Sequence, residues 1–387
     1  MEKINTFEIT SDLQNETVHK RQKINILGLS QKSIAQYFQE MGINQKNVNM
    51  RVKQLWSWVY SHGKISFDDM TNLSNDFRFF LNENFNLERP IIVKKQVSLD
   101  GTRKYLFKTN KIGEFETVFI PEEDRGTVCL SSQIGCTLNC SFCHTGTQSL
   151  VRNLEPFEIV GQVLAIKDDL NDWDGKNKHN TKRKISNIVM MGMGEPLYNF
   201  DNVKDGIDII MNNEGLAISR RRITLSTSGV LPNIHRVALE IGCLLAISLH
   251  GTTDSIRDML VPINKKWNIA ELMLSLKKYP KLSNSERITF EYVMLSGVND
   301  SLEDAKRLVK LIQGIPSKVN LIPFNPWPGS NYGPSNPEII EKFAAYLRKA
   351  GYSSPVRKPR GDDILAACGQ LKSDSVKPKK VTALLKI

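Results

Sequence analysis

Cys136, Cys140 and Cys143 form a C-x3-C-x2-C run, with Phe142 just before the last thiol and His144 just after it. Three thiolates at that spacing can hold three irons of a cubane cluster and leave the fourth iron without a protein ligand. An all-cysteine electron carrier has no use for such a vacancy, so a chain supplying three ligands offers the fourth position to a substrate or cofactor. The plainer alternative is a structural zinc ion completed by His144 as Cys3His. Zinc sites more often use C-x2-C pairs split by roughly a dozen or more residues, and adjacent Cys143 and His144 would strain to reach one tetrahedral ion. The spacing therefore favours a 4Fe-4S site over zinc.

The rest of the composition fits that chemistry. Six cysteines among 387 residues are too sparse for a disulfide framework. The stretch up to Leu27 is interrupted by Glu2, Lys3, Glu8, Asp12, Glu16 and Lys20, so no secretory start is legible. A reducing, cytoplasmic compartment is expected, with no membrane partner. The net charge of +11 and the pI near 9.2 suit a polyanionic partner such as nucleic acid, although a basic proteome would look the same.

The elements that must carry the cysteines read as an α/β chain. Residues 1–90 form a helical accessory module: Ile34, Tyr37, Phe38 and Met41 fall on one helical face ending at Gly42, and Val52, Leu55, Trp56 and Val59 repeat the pattern toward Gly63. Lys46, Arg51, Lys53 and Lys64 around them could present a basic face to RNA or a solvated helix surface. Residues 91–126 read as a β connector, with a hairpin turn at Asp100-Gly101 and a β-rich run at 116–120 closed by Pro121. From 127 onward, strand-like runs at 127–131, 188–191, 223–226, 244–249, 288–295 and 319–322 alternate with helical patterns such as 156–167 and 301–313. Six βα repeats predict a partial parallel (βα)6 barrel over 127–372, followed by a basic tail at 373–387. The polar stretch 171–184, with Lys176, Lys178, Lys182, Arg183 and Lys184, reads as a flexible loop.

In a parallel barrel, chemistry gathers at the carboxyl ends of the strands. The cysteines follow the first strand, Gly192-Met193-Gly194-Glu195-Pro196 the second, Ser226-Thr227-Ser228 the third, Ser248-Leu249-His250 closes the fourth, and Pro323-Phe324-Asn325-Pro326 follows the sixth. The natural guest for the vacant iron is S-adenosylmethionine, whose amino and carboxylate groups can chelate it. Gly192 and Gly194 would let the backbone approach that ligand, Glu195 would accept from its ammonium, and Ser226, Ser248, Leu249, His250 and Asn325 are the remaining candidate contacts. Cys243, in an apolar strand context, reads as structural.

Together with Leu225-Ser226-Thr227-Ser228-Gly229, Arg360-Gly361-Asp362-Asp363 and Ala367-Cys368-Gly369-Gln370, these motifs closely resemble the RlmN family, the dual-specificity radical-SAM adenine methyltransferases of 23S ribosomal RNA and transfer RNA. The resemblance runs from the N-terminal helices to about Leu371. It implies methylation of adenine carbon 2 in 23S rRNA and next to the anticodon in a subset of tRNAs, using one 4Fe-4S cluster and two S-adenosylmethionine molecules per methylation. An electron donor such as flavodoxin or ferredoxin and a monomeric chain are expected with it. Carbon 2 lies between two ring nitrogens and carries no lone pair, so a radical route is needed.

The resemblance also implies residue roles. Cys368, in a C-terminal segment made mobile by Gly361 and Gly369, would carry a methyl that is activated by hydrogen abstraction and added to adenine, giving a protein–RNA adduct. Cys129, placed at the start of the first barrel strand, would resolve the adduct by a transient disulfide with Cys368, and Glu116 would remove the adduct's proton. Arg357, Lys358 and Arg360 are read as RNA phosphate contacts near the mouth, ahead of Arg220, Arg221 and Arg222 or the tail residues Lys377, Lys379 and Lys380. Three other readings differ in measurable ways. Methylation at carbon 8 differs in the product nucleoside, a glycyl-radical activator in taking hydrogen from a peptide glycine, and an iron–sulfur RNA-binding regulator in leaving S-adenosylmethionine unconsumed.

Overall fold

A computed structural model describes residues 23–173, 183–280, 282–283 and 286–373. Its N-terminal module begins with a two-residue strand, β1 (Ile24–Asn25). Ser30 then caps α1 (Gln31–Glu40) by accepting the Ser33 N–H at 3.1 Å. α2 (Gln45–Tyr60) and α3 (Asn75–Asn84) follow, and β2 (Phe85–Asn86) closes the module by pairing in parallel with β1. Ile34 and Phe38 of α1, Val52, Leu55, Trp56 and Val59 of α2, and Phe77 and Leu81 of α3 are buried together. Each such side chain contributes about 1.5–3 kcal/mol on burial. Phe38 packs edge-on to Phe77 and Phe85, at 5.4 and 5.8 Å between centroids. Met41, expected on the same face as Phe38, is exposed.

The connector is part of the barrel sheet rather than a free link. β3 (Ile91–Val97) and β4 (Arg103–Lys108) form the hairpin, with Gly101 at φ +82° in the turn. β5 (Glu114–Pro121) pairs antiparallel with β4 and with β6 (Gly126–Cys129), the first barrel strand. β7 (Gln133–Ile134) and β8 (Arg152–Asn153) pair with each other across the neck of the cysteine loop. The chain then alternates through α4 (Pro156–Leu170), β9 (Asn187–Met190), α5 (Phe200–Met211), β10 (Ile223–Thr227), α6 (Leu231–Arg236) and β11 (Leu244–Ser248). It continues through α7 (Asp254–Leu260), α8 (Ile269–Lys277), β12 (Ile288–Met294), α9 (Leu302–Ile312), β13 (Ser317–Pro323) and α10 (Pro337–Lys349). Among the described residues one sheet runs β13-β12-β11-β10-β9-β6-β5-β4-β3. Its first six strands are parallel, as the (βα)6 expectation required, and its last three form an antiparallel extension.

Local chemistry fixes these elements. Pro156 opens α4, and the Glu158 carboxylate reaches back to the Glu155 N–H at 2.9 Å while taking both arms of Arg152. Ser301 and Asp304 form the same reciprocal cap on α9. α4 is buried on nearly all sides, because the barrel covers one face and the N-terminal module another. A Cβ on Gly161 of α4 would lie 2.3 Å from Pro90 Cδ, so that approach needs glycine.

The described ends of the 171–184 stretch are tied down, and its middle, 174–182, where a flexible loop was expected, lies outside the described residues. Asp172 accepts the N–H groups of Lys184 and Ile185 at 2.8 and 3.0 Å, and Arg183 and Lys184 donate to the Ala217 and Leu170 carbonyls. Lys176, Lys178 and Lys182 lie outside the described residues, as do Lys377, Lys379 and Lys380. Among the described residues no helix is long and apolar enough to cross a membrane.

Candidate active site

The six parallel strands end at one mouth, and the cysteine loop folds over it. Gln133, on β7, is the hub of that loop. Its amide nitrogen donates to Thr137 Oγ1 and Asn153 Oδ1, at 3.0 and 2.9 Å, and its amide oxygen accepts the Glu195 N–H at 2.9 Å. One side chain thus ties the first cysteine's loop to the Gly192–Pro196 turn. A Cβ on Gly194, at φ +97°, would sit 2.5 Å from Gln133 Cβ. The glycine that was read as making room for a ligand is first of all making room for Gln133.

Cys136, Cys140 and Cys143 line one cavity of about 970 Å³, counted out to its open mouth, opposite Glu195, Ser226, Ser248 and His250. Burial, then the neighbouring thiols of Cys136 and Cys143, push the Cys140 thiol well up, so the apo site favours neutral sulfur. A metal's positive charge reverses that preference. Among the described residues no three His, Cys, Asp or Glu side chains converge at single-ion distance. That arrangement fits a cluster whose corners each take one thiolate better than it fits one zinc ion. His144 has turned away from the thiols: it stacks flat on Trp327 at 4.6 Å, with Nδ1 3.2 Å from the Gln370 carbonyl oxygen. The Cys3His alternative fails on that geometry.

The opposite wall is held by buried polar groups. Glu195 accepts from the Leu197 and Ser228 N–H groups at 3.0 and 2.8 Å, while burial raises its pKa. His250, at φ +56°, accepts the Val293 N–H on Nδ1 at 3.0 Å. Burial, then Arg257, lowers its pKa to about 3. It is therefore a neutral imidazole with its Nε2–H free to donate. Ser226 and Ser248 lie 3.5 Å apart, hydroxyl to hydroxyl. Arg257 is buried behind them and donates to Ser228 O, Leu249 O and Asn264 Oδ1 at 2.6, 3.1 and 2.8 Å. Leu249 does not line the cavity; its side chain is in the core.

A second cavity adjoins the first and shares Cys143, Met191, Gly192, Arg357 and Cys368 with it. Cys129 and Asn325 line only this second cavity. Asn325 therefore sits away from the first cavity, and its amide nitrogen donates to the Cys368 carbonyl at 3.3 Å. Cys129 is the last residue of β6, not its start, because the strand ends two residues earlier than its apolar run. That correction moves the thiol to the carboxyl end, the reactive end, of the strand.

The segment carrying Cys368 is anchored in this structure. His144 N–H donates to Gly369 O at 2.7 Å, and Gln370 donates to Pro326 O at 2.8 Å. Asp363 accepts from Ser98 Oγ and Leu99 N–H in the hairpin turn, at 2.5 and 3.2 Å.

Glu116 is buried on β5 and faces a third cavity, with Lys104, Lys372 and Asp363. Its carboxylate accepts the Lys372 N–H at 2.8 Å and lies 3.5 Å from Lys104 Nζ. Cys368 does not line that cavity, so the structure does not bring these two candidates together. Of the basic candidates, Arg357 lines both inner cavities, with its side chain still 32% exposed. Arg360 lies 3.8 Å from Asp100. Arg220, Arg221 and Arg222 form an exposed turn at the amino end of β10. On the N-terminal module, Lys53 pairs with Glu214 and Lys64 with Asp69.

Residues 130–311 match the family model described as the radical SAM superfamily, and residues 24–87 match the ribosomal RNA large subunit methyltransferase N-terminal domain. A dual-specificity RNA methyltransferase RlmN from Paracoccus denitrificans (strain Pd 1222) is 59% identical over 361 residues, covering 93% of this chain and 92% of the relative. This chain belongs to the RlmN family. Another member, from Bradyrhizobium sp. (strain BTAi1), is 58% identical over 94% of this chain and 91% of its own length. A solved radical SAM methyltransferase from Sphaerobacter thermophilus superposes with a TM-score of 0.81 at 38% identity, covering 90% of this chain and 98% of that one. A 4Fe-4S cluster and S-adenosylmethionine are implied by radical-SAM membership, and the cysteine cavity suits both.

Reading the sequence did not single out Gln133 or Arg257. Gln133 carries no motif signal. Arg257, in a short amphipathic helix, looks like a surface cation until the fold buries it.

Proposed function

We propose that this RlmN-family chain methylates carbon 2 of adenine in 23S rRNA and in tRNA next to the anticodon, with Cys368 as the carrier of the methyl group. One observation carries the reading: Cys368 lines both the cysteine-cluster cavity and the adjoining cavity that contains Cys129. A sulfur at that junction can be methylated from one side and attacked from the other. Cys136, Cys140 and Cys143 would each hold one iron, and Glu195, Ser226, Ser248 and His250 face the space left for S-adenosylmethionine. When bound, cluster and cofactor supply one-electron chemistry and the methyl group, two cofactor molecules being used per methylation.

The chain's own groups do the rest. Cys368 forms a thioether that becomes the link to adenine. Glu116 takes the proton from carbon 2 of that adduct after the segment from Cys368 to Lys372 shifts, which frees the carboxylate from the Lys372 N–H and brings the adduct to its cavity. Cys129 then attacks the Cys368 sulfur and frees the methylated base. The helical module and the hairpin edge handle RNA, and a small electron-transfer protein such as flavodoxin or ferredoxin supplies electrons to a monomeric enzyme.

The test is incubation of the reduced holoenzyme with S-adenosylmethionine and unmodified 23S rRNA or tRNA, followed by mass spectrometry of the nucleosides. 2-Methyladenosine is expected, and none from Cys368→Ala. Turnover by Cys368→Ala refutes the carrier role, and 8-methyladenosine refutes the regiochemistry.

A further inference from the structure

The pair Glu291–Arg357 has no part in the scheme above, yet its guanidinium end lines both inner cavities. Glu291 is on β12, inside the barrel and only 3% exposed. One carboxylate oxygen accepts from Asn320 Nδ2 at 2.8 Å. The other, which makes no hydrogen bond, lies 3.6 Å from Arg357 Nη1. Arg357 is fixed from behind as well, since its N–H donates to the Leu321 carbonyl at 2.8 Å and the residue before it, Val356, bridges to Leu321. The backbone of Arg357 is thus held by strand β13, and its guanidinium faces a buried carboxylate. Arg357 lines the first cavity with Cys368, and the second with both Cys129 and Cys368.

Burying the Glu291 carboxylate is an expensive way to stabilise a barrel, because its desolvation offsets most of its attraction to Arg357, whose side chain is still 32% exposed. A cation fixed beside two sulfurs has a use that an apolar pair would lack. We propose that Arg357, oriented by Glu291, is the positioning cation that stabilises the Cys129 thiolate as it forms and attacks Cys368. The inference rests on the role given to Cys129 above and adds the group that makes it competent.

In that step the Cys129 thiolate forms an S–S bond with Cys368 Sγ, and the bond from Cys368 Sγ to the adduct methylene breaks. Its electron pair passes to the methylene carbon, where the adenine ring nitrogens spread it until a proton from water completes the methyl group. The two sulfurs lose two electrons between them and the carbon gains two. The step needs a thiolate, because a thiol is a poor nucleophile.

The buried site makes that thiolate costly. Burial chiefly, then Cys368, pushes the Cys129 thiol up to about 12 even though Arg357 and the backbone at Met191 pull it down. The reciprocal effect appears on Arg357, which Cys368 chiefly, then Glu291, Cys129 and Glu122, hold firmly protonated against the cost of burial. The charged groups that share the second cavity with Cys129 are Arg357, Lys358, Arg360 and the thiols of Cys143 and Cys368. Lys358 is exposed and Arg360 lies near Asp100, so Arg357 is the cation held inward.

The experiment is a single turnover of the reduced holoenzyme on an RNA substrate at a series of pH values, following the covalent protein–RNA adduct on denaturing gels. Wild type, Arg357→Met, Arg357→Lys, Glu291→Gln and Cys129→Ser are compared. Cys129→Ser, lacking the nucleophile, should accumulate adduct at every pH. Arg357→Met should form adduct but clear it about tenfold more slowly for each unit by which the Cys129 pKa rises, and higher pH should restore clearance. Arg357→Lys should clear it faster than Arg357→Met, and Glu291→Gln should fall between wild type and Arg357→Met. Glu291→Gln also guards against a misfolded Arg357→Met protein, since it leaves no buried unpaired carboxylate.

Clearance by Arg357→Met with the wild-type pH profile overturns the role of Arg357. A slow Arg357→Met whose clearance no pH restores also overturns it, since that marks a merely structural part. If Cys129→Ser clears adduct like wild type, the assignment of Cys129 fails first, and this inference with it.

Discussion

His250 gives the sharpest test of how the mouth is built. It is buried, sits at φ +56°, accepts the Val293 N–H on Nδ1 and meets the Phe142 ring edge-on at 4.7 Å. Burial, then Arg257, brings its pKa from 6.5 to about 3. The folded pKa is therefore below the unfolded one. Between those values the unfolded chain binds a proton that the folded chain refuses. The stability tied to this group is complete above the unfolded pKa of 6.5 and is lost as pH falls from there toward 3. At about pH 5 the loss is about 2 kcal/mol, from one and a half pKa units at about 1.36 kcal/mol each.

Other carboxylates and histidines also titrate there, so wild type must be compared with His250→Asn. Asparagine tolerates left-handed backbone and retains an acceptor. Urea unfolding of both chains at about pH 7.5 and about pH 5 should show wild type losing about 2 kcal/mol more than the variant. Equal losses, within about 0.5 kcal/mol, would mean that His250 is protonated in the folded chain, and the argument for a neutral donor facing the cavity would fall.

Two further outcomes follow from the same geometry. Arg257→Met leaves Ser228 O, Leu249 O and Asn264 Oδ1 without their buried donor. It should cost about 3 kcal/mol in urea unfolding, part of the gross loss being returned by the charge no longer buried, and a cost under about 1 kcal/mol would contradict the bonding described. Asp363→Ala removes two of the bonds that tie the Cys368 segment to the hairpin turn, leaving the Gly361 N–H on Asp100. Amide hydrogen exchange across residues 365–372 should speed up by about tenfold, equivalent to about 1.4 kcal/mol of local opening. Unchanged exchange would show that the remaining contacts, among them His144 to Gly369 and Gln370 to Pro326, hold it without Asp363.

The chain's order along the sequence was enough to find its barrel and its reactive thiols. Period-two and period-3.6 patterns each depend on near neighbours, so the six parallel strands emerged within a residue or two, and α4 and α9 with their proline and serine starts. The cysteine triplet was legible because cluster ligation fixes spacing directly. What needed the fold was everything set by burial and by contact between distant segments. Cys129 moved to the reactive end of its strand because hydrogen bonding, not apolar content, ends a strand. Arg257, a surface cation by composition, became an interior one because helix α7 turns inward, and Arg357 came to line the inner cavities because the chain after β13 runs back along it. Leu249 went to the core, Asn325 to the second cavity, and Glu116 to a pocket without Cys368. Residue type tells what chemistry a side chain can do; only packing decides which groups it meets and whether it keeps its charge.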